Sequence, residues 1–294
     1  MNVTQELIEE GIRSSGITSG DWIFLHSSLK SLGRVEGGAV TVINAFRSVL
    51  GQDGLLITPS LSFTTCNPEK NPGLKAWNKR TTPSRVGRVS DTLWRMPEAA
   101  RSDHPTHSVA AAGKEAEEYV SGHSCEFPVF SLKSPYMKHV QRNAKLVFLG
   151  VHLGTNTTLH AFEEWIKLPY LETAESPVEG SDGKIKKVTV TGFPSGCRGF
   201  YDENDTHVSS FIEQAGLISR SRIAEAEVMT VPALDLADVM FDRLYDEPDF
   251  LLCRKQGCEF CTRGRAKIEE NIDSIHARYR DIKKAGVYRG DKGQ

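Results

Sequence analysis

A histidine followed closely by two carboxylates is the sequence feature best suited to proton transfer. Glu163 and Glu164 come three and four residues after His160. On a helix these carboxylates would lie beside the imidazole ring. A carboxylate in that position fixes the tautomer of the ring and raises its basicity, as a general base requires. A surface histidine beside an ordinary helical charge pair has the same spacing, so both interpretations stay open.

A second pair of histidines lies in a polar segment, Arg-Ser-Asp-His-Pro-Thr-His-Ser, over residues 101–108. His104 and His107 are three residues apart and could bind a metal ion, but Pro105 disfavours a helical conformation at His104. No acidic residue or cysteine lies at a familiar ligand spacing from them. A polar loop that positions a substrate or a neighbouring loop is at least as good an interpretation.

A third polar segment directly follows a short apolar strand. It contains His26, Ser27 and Ser28, and Gly33 and a Gly-Gly pair at residues 37–38 come next. Open α/β sheets bind ligands at the carboxyl ends of their strands. The helix that begins near residue 38 would offer free N–H groups to a phosphate or a pantetheine-like chain. The alternative is that both serines are turn or cap residues.

Three cysteines near the end of the chain could be zinc ligands. Cys253, Cys258 and Cys261 follow a C-x4-C-x2-C spacing. No fourth ligand is nearby, because Cys197 and His207 are distant in sequence. We therefore expect reduced thiols and no bound metal, since the chain shows no export signal. The rival hypothesis is a non-enzymatic zinc- or nucleic-acid-binding protein on an α/β scaffold, in which these cysteines support an appendage that binds nucleic acid or a protein partner.

The elements that must position these residues alternate between strands and helices. A strand at 22–25, a helix from about 38 to 50 and a strand at 54–58 predict a right-handed βαβ unit with parallel strands. Residues 169–186 are expected to form a polar excursion. Further strands are predicted at 109–112, 146–149 and 188–191, and further helices at 4–15, 90–96, 114–121, 134–141, 157–165, 206–215, 232–244 and 265–284.

The whole pattern predicts an α/β fold, a layered mixed sheet with helices on both faces. We expect a single domain over residues 1–294 with inserted loops at about 60–90 and 166–190. A cysteine-containing helical tail would cover about 253–294. The motifs G-x-S-x-G, G-x-x-x-x-G-K-[ST], G-x-G-x-x-G and H-E-x-x-H are absent, which weakens the usual hydrolase, nucleotidase, dehydrogenase and zinc-protease hypotheses.

Composition limits the class of protein further. The 294 residues include 36 Lys and Arg against 38 Asp and Glu, and the net charge of −2 argues against a dedicated nucleic-acid binder. No apolar stretch approaches the ~20 residues of a membrane span, and no secretory signal is visible. We expect a cytoplasmic monomer or homodimer that acts on a small molecule.

Four segments, in order and at similar spacing, resemble the aminoglycoside N3-acetyltransferase family, the antibiotic acetyltransferase type that is unrelated to the GNAT fold. The resemblance runs from about residue 3 to about residue 250. It rests on His-Ser-Ser-Leu at 26–29 with its glycines, Gly-Leu-Leu-Ile-Thr-Pro-Ser at 54–60, the 101–109 segment with Gly113, and Gly150 followed by Thr-Thr-Leu-His at 157–160 with Glu163.

The resemblance implies transfer of an acetyl group from acetyl-CoA to an amine, namely the 3-amino group of aminoglycoside antibiotics, as in resistance. His160 matches the general base of the family. A downstream acidic residue would orient it, and among residues 201–205 we favour Glu203 over Asp202. The alternative substrate is a different amine.

The mechanism would be direct attack of the amine on the thioester as His160 takes its proton. The hydroxyl of Thr157 or Thr158, or the N–H groups at that helix start, would stabilise the oxyanion. A polycationic substrate favours an acidic rim, for which we name Glu163, Glu164, Glu172 and Asp205. The residues expected to bind acetyl-CoA are His26, Ser27, Ser28, Gly33, Ser102, His104, His107 and Ser108.

Overall fold

A seven-stranded mixed sheet forms the centre of the protein in a computed structural model, which describes residues 2–65, 76–202, 204 and 206–290. The strand order is β3-β4-β2-β1-β5-β9-β8. Strand β1 pairs in parallel with β2 and β5, and the other pairings of the sheet are antiparallel. These strands are β1 (Trp22–Ser27), β2 (Leu55–Pro59), β3 (Ala99–Arg101), β4 (Val109–Gly113), β5 (Lys145–Leu149), β8 (Ser219–Ile223) and β9 (Ala226–Pro232).

Helices cover both faces of the sheet, as the sequence predicts. Successive strand residues point to opposite faces, so Ile23 and Leu25 pack into one core while Phe24 packs into the other. The helices are α1 (Gln5–Ser14), α2 (Ala39–Leu50), α3 (Arg88–Leu93), α4 (Ala116–Val120), α5 (Pro135–Gln141), α6 (Leu159–Trp165), α7 (His207–Gln214), α8 (Ala233–Asp246), α9 (Glu259–Glu270) and α10 (Ile272–Ala285).

The predicted parallel βαβ unit is confirmed. Trp22 of β1 aligns with Leu55 of β2, and α2 makes the connection. Gly38 precedes α2 with a φ of 65°, and Gly51 ends it with a φ of 66°. Both angles belong to the left-handed region that favours glycine, so the two glycines set the ends of this helix.

The polar excursion expected over residues 169–186 is wrong. An antiparallel hairpin forms there from β6 (Glu172–Glu179) and β7 (Ile185–Phe193). Its strands are mostly exposed, with only a few inward side chains such as Val190. Strand β6 lacks the apolar run by which we assigned the other strands, whereas the strand predicted at 188–191 lies within β7.

The last predicted helix, 265–284, is two helices. The helical conformation is interrupted at Asn271, where φ is −118°. This residue is the C-cap of α9 and the N-cap of α10. Cys258 lies at the start of α9, which begins earlier than predicted. Within the described part of the chain, no helix is both long and apolar enough to cross a membrane.

Candidate active site

A cavity of about 520 Å³ opens at the carboxyl ends of β1 and β2. This is the edge where α/β sheets bind ligands. Phe63, Phe193 and Phe200 supply much of its apolar surface. Its polar lining residues include His26, Ser27, Ser90, His107, Thr155, Asn156, Thr157, His160 and Tyr201.

His160 lies in the first turn of α6, and both of its ring nitrogens have a partner. The Nδ1–H group donates to Oε2 of Glu163 at 2.7 Å. The hydroxyl of Tyr201 donates to Nε2 at 2.7 Å. The side chain is 5 % exposed. The helical spacing of three residues therefore gives the contact that the sequence predicts for Glu163.

Glu163 is completely buried and belongs to a larger polar network. Its Oε1 atom accepts from the hydroxyl of Tyr170 at 2.9 Å and from Nε of Arg198 at 2.5 Å. Arg198 is also completely buried, and its Nη1 group donates to the carbonyls of Ser195 and Cys197. A buried charge needs such a partner, so the ion pair between Glu163 and Arg198 anchors the carboxylate beneath His160.

The network sets the protonation states of the site. Burial lowers the pKa of His160 below its ordinary value, although Glu163 opposes this shift. Burial alone would raise the pKa of Glu163, but the charges of Arg198 and His160 outweigh it and the pKa is lowered. At neutral pH the arrangement is a neutral imidazole held by an ionised carboxylate, which is the state of a general base.

Of the acidic residues that we expected to orient His160, Asp202 lies elsewhere. Asp202 forms an ion pair with Lys255 and accepts from Asn204. Glu203 and Asp205 lie outside the described residues. Among the described residues, Glu163 is the carboxylate that accepts the hydrogen bond of His160. It lies one helical turn away, so the helix itself brings the two side chains together.

The expected acidic rim is largely neutralised within the described structure. Glu163 is covered by its own network, and Glu164 is buried in an ion pair with Lys167. Glu172 is exposed at the start of β6 and accepts from Ser195. Lys187 pairs with Glu175 of the hairpin. Of the rim residues that we named and the structure describes, Glu172 keeps an accessible carboxylate.

The carboxyl end of β1 and the residues that follow it contribute to the cavity and to a groove beside it. His26 lines the cavity, and burial lowers the pKa of its ring to about 3. Ser27 lines both spaces, whereas Ser28 and Gly33 line only the groove. The groove has a volume of about 630 Å³ and reaches Gly38 at the start of α2. It also carries the exposed cations Lys30, Arg34 and Arg88.

The residues expected from the 101–108 segment divide into two groups. His107 lines the cavity. Ser102 accepts from the N–H of Val109 and bonds His123, and Ser108 donates to the carbonyl of Ser60. His104 is fully buried, outside the lining of the cavity. Ser102, His104 and Ser108 therefore hold the loop together, which corrects their expected place in a ligand site.

The start of α6 differs from expectation at Thr158. Its hydroxyl bonds Nε2 of His139 in the interior, whereas Thr157 lines the cavity. Asn156, which the sequence analysis missed, also lines the cavity, and its buried Nδ2 group has no partner among the described residues. Tyr170, Arg198 and Tyr201 were missed as well, because no local spacing connects them to His160.

Comparison with known proteins identifies the class. Residues 24–245 match the model of the aminoglycoside 3-N-acetyltransferase family. Aminoglycoside N(3)-acetyltransferase IV from Salmonella sp is 29 % identical over 257 residues, which cover 86 % of this chain and 92 % of that protein. Aminoglycoside N(3)-acetyltransferase III from Salmonella sp is 32 % identical over 206 residues, covering 65 % and 72 %.

Solved structures agree with this relationship. The apoenzyme of aminoglycoside acetyltransferase AAC(3)-IVa superimposes with a TM-score of 0.77 at 27 % identity, over 91 % of this chain and 98 % of that one. A mutant of the same enzyme in complex with a gentamicin gives a TM-score of 0.78 at 26 % identity over the same shares.

This chain belongs to the aminoglycoside 3-N-acetyltransferase family, and the resemblance noted in its sequence is confirmed. It is an acyltransferase. The hypothesis of a non-enzymatic binding protein on an α/β scaffold is therefore wrong.

Proposed function

We propose that this enzyme transfers the acetyl group of acetyl-CoA to the 3-amino group of an aminoglycoside, with His160 as the general base. One observation carries the proposal. A buried, neutral imidazole stands on a buried carboxylate and presents its other nitrogen at the wall of a cavity. The names of the relatives support the substrate class.

The base would act through Nε2. Glu163 holds the Nδ1 proton, so Nε2 carries the free lone pair. Tyr201 donates to that lone pair in the free enzyme. The amine of the substrate would replace this hydroxyl, lose a proton to His160 and attack the thioester carbonyl. The C–S bond would then break, and the CoA thiolate would leave and take the proton from His160. General-base catalysis of this kind typically contributes about 10² to 10⁴ in rate.

The groove beside the cavity supports acetyl-CoA as the donor. None of Lys30, Arg34 and Arg88 forms an ion pair with another described residue, so their charges are available to phosphate groups. The start of α2 adds backbone N–H groups at the same place. Ser27 joins the groove to the cavity, which gives the pantetheine arm a path to His160.

Asn156 is well placed to stabilise the oxyanion that forms at the thioester carbonyl. The side-chain Oδ1 atom of Asn156 accepts a hydrogen bond from the N–H of Thr158, which orients the side-chain amide. The Nδ2 group is left as a buried donor without a described partner beside the cavity. A donor arranged in advance in this way can lower the barrier of acyl transfer. We assign it this role in place of the Thr158 hydroxyl, with Thr157 as a second donor.

A panel of aminoglycosides with acetyl-CoA tests the substrate assignment. Release of free CoA thiol is the readout, and NMR of the product locates the acetyl group. We expect acetylation at the 3-amino group. If no aminoglycoside releases thiol between about pH 6 and 9, where the base is active, the assignment fails and a different amine is the substrate.

The groove has its own test. We expect Arg34→Ala and Arg88→Ala to raise the KM for acetyl-CoA and leave the KM for the amine nearly unchanged. Arg47→Ala is the matched control, because Arg47 is on α2 but pairs with Glu98 away from the groove. Equal effects of all three substitutions would remove the groove from the acetyl-CoA site.

A further inference from the structure

Four cysteine side chains converge between the carboxyl-terminal tail and the segment that follows β7. The Sγ atoms of Cys197, Cys253, Cys258 and Cys261 all lie within 4.8 Å of one another. Three of them come from the tail segment between α8 and the first turn of α9, and Cys197 comes from a loop more than fifty residues earlier. The three tail cysteines have no fourth ligand near them in sequence, and Cys197 supplies that ligand in the folded protein.

The arrangement matches the coordination chemistry of one metal ion. Zinc binds four thiolates in a tetrahedron with Zn–S bonds of about 2.3 Å, which places the sulfurs about 3.8 Å apart. A disulfide joins two sulfurs and explains only a pair. All four donors are sulfur, which disfavours calcium and magnesium and favours a soft ion. We propose that Cys197, Cys253, Cys258 and Cys261 bind one Zn²⁺ ion as a closed structural site.

The backbone around the cluster is shaped for this purpose. The N–H of Cys253 points to Sγ of Cys261 at 3.3 Å, and such hydrogen bonds stabilise a metal-bound thiolate. Gly257 turns the chain just before Cys258 with a φ of 77°. A Cβ atom on Gly196 would lie 2.3 Å from the ring of Phe260. A glycine is therefore required where the Cys197 loop approaches α9.

Burial also fits a structural site without an open coordination position. Cys253 and Cys261 are 1 % and 0 % exposed, and the other two are half-buried. Binding is not a redox step. Each thiol loses its proton to solvent, four protons leave as one Zn²⁺ enters, and the complex carries a net charge of −2.

The ion would tie the tail to the active site. Cys197 directly precedes Arg198, and its carbonyl accepts from Nη1 of that arginine. Arg198 in turn holds Glu163 under His160, so the metal would act on the base at a distance, as a positioning element. This consequence rests on the proposed function. The metal site itself does not, because metal content is measured without substrate.

Metal analysis of the full-length protein, purified without chelators, tests the proposal. We expect about one zinc per chain. After replacement of zinc by Co²⁺, we expect the thiolate-to-cobalt charge-transfer bands and the visible bands of a tetrahedral tetrathiolate. Protein with far less than one equivalent of metal after growth in zinc-supplemented medium would overturn the site, whether its thiols prove free or paired in disulfides.

Two serine variants provide the matched comparison. We expect Cys258→Ser to lose most of the zinc and the tetrathiolate spectrum, whereas Cys125→Ser keeps both, because Cys125 is a half-buried thiol outside the cluster. A Cys258→Ser protein with full zinc content would contradict the assignment. If that variant does not fold, the cobalt spectrum of the unmodified protein still decides the question.

Discussion

His104 and His160 are both buried histidines in polar segments at the edge of the sheet, yet their surroundings differ. Burial lowers the pKa of each ring. His104 stacks on His123, with ring centroids 4.6 Å apart, and its Nδ1 atom accepts from the N–H groups of Thr106 and His107. His160 instead rests on the charge of Glu163 and lines the cavity.

The difference illustrates what a general base requires in addition to burial. Burial and hydrogen bonds are common to both. A carboxylate partner stabilises the imidazolium that forms during proton transfer, and an accessible second nitrogen receives the proton. His160 has both features, whereas the described surroundings of His104 provide backbone N–H groups and neutral rings. We therefore expect substitution of His160 to reduce activity more than stability, and substitution of His104 to reduce stability more than activity.

The largest effect is expected for His160→Ala. Loss of the base should lower kcat/KM for the amine by about 10² to 10⁴ and leave the affinity for acetyl-CoA nearly unchanged. Steady-state kinetics and calorimetric binding of CoA measure the two quantities. A variant that keeps at least a tenth of the activity would end the assignment of His160 as the base.

Glu163→Gln should lower the stability of the protein and also change the pH dependence of its activity. Arg198 would be left as a buried charge without its carboxylate, and such changes cost about 3–5 kcal/mol of stability. The pKa of His160 would fall further, because the interaction that raises it is lost. In the variant, the decline of kcat/KM on the acid side should thus move to lower pH. Denaturant unfolding and a pH–rate profile are the measurements.

Glu164→Gln is the neighbouring control. Glu164 pairs with Lys167, whose side chain is 55 % exposed, so we expect a loss of about 1 kcal/mol or less. The acid limb should stay in place. An equal shift of the limb in both variants would mean that general charge near α6, rather than the contact of Glu163, sets the pKa of His160.

His104→Ala should reduce stability without reducing chemistry. The N–H groups of Thr106 and His107 would lose their acceptor, which costs about 1–3 kcal/mol. His104→Asn should recover part of this loss, because an asparagine side chain accepts from the N–H two residues on. A large fall in kcat with unchanged stability would place His104 in the catalytic machinery after all.

Tyr201→Phe should give a small shift of the acid limb, opposite in direction to that of Glu163→Gln. The Tyr201 hydroxyl favours the neutral imidazole, so its loss should raise the pKa of His160. One hydrogen bond of about 1 kcal/mol corresponds to a shift of about 0.7 pH unit. The acid limb of kcat/KM, which reports the free enzyme, should therefore move to higher pH, and an unmoved limb would contradict the hydrogen bond from Tyr201 to Nε2 in the free enzyme.

Local patterns predicted much of the fold. The apolar runs of β1, β2 and β5 and the Ser134-Pro135 start of α5 were visible in the sequence. Of the β6–β7 hairpin, only residues 188–191 of β7 were predicted as a strand, because β6 lacks an apolar run. The edge strand β8 was missed for the same reason, since its Ser-Arg-Ser-Arg run offers a single buried residue.

In the site, too, contacts between residues close in sequence could be predicted and contacts between distant residues could not. The pair His160 and Glu163 could be predicted, because a helix brings residues three apart together whatever surrounds it. Arg198 and Tyr201 could not, since they reach the same histidine from 35 and 41 residues away along the chain. No helical or strand period extends across such separations. Asp202, which we ranked after Glu203, pairs with Lys255 instead.

By itself, the sequence identified the α/β class, the family and the histidine that we propose as the base, with its nearest carboxylate. These depend on composition, on short periods and on motif order, all of which are local. Tertiary packing alone decided that Arg198 pairs with this carboxylate and that Tyr201 bonds the histidine. It also decided that Cys197 joins the three cysteines of the tail. Such contacts join residues tens of positions apart, and closing each loop costs conformational entropy. Burial of the two apolar cores on opposite faces of the sheet offsets this cost.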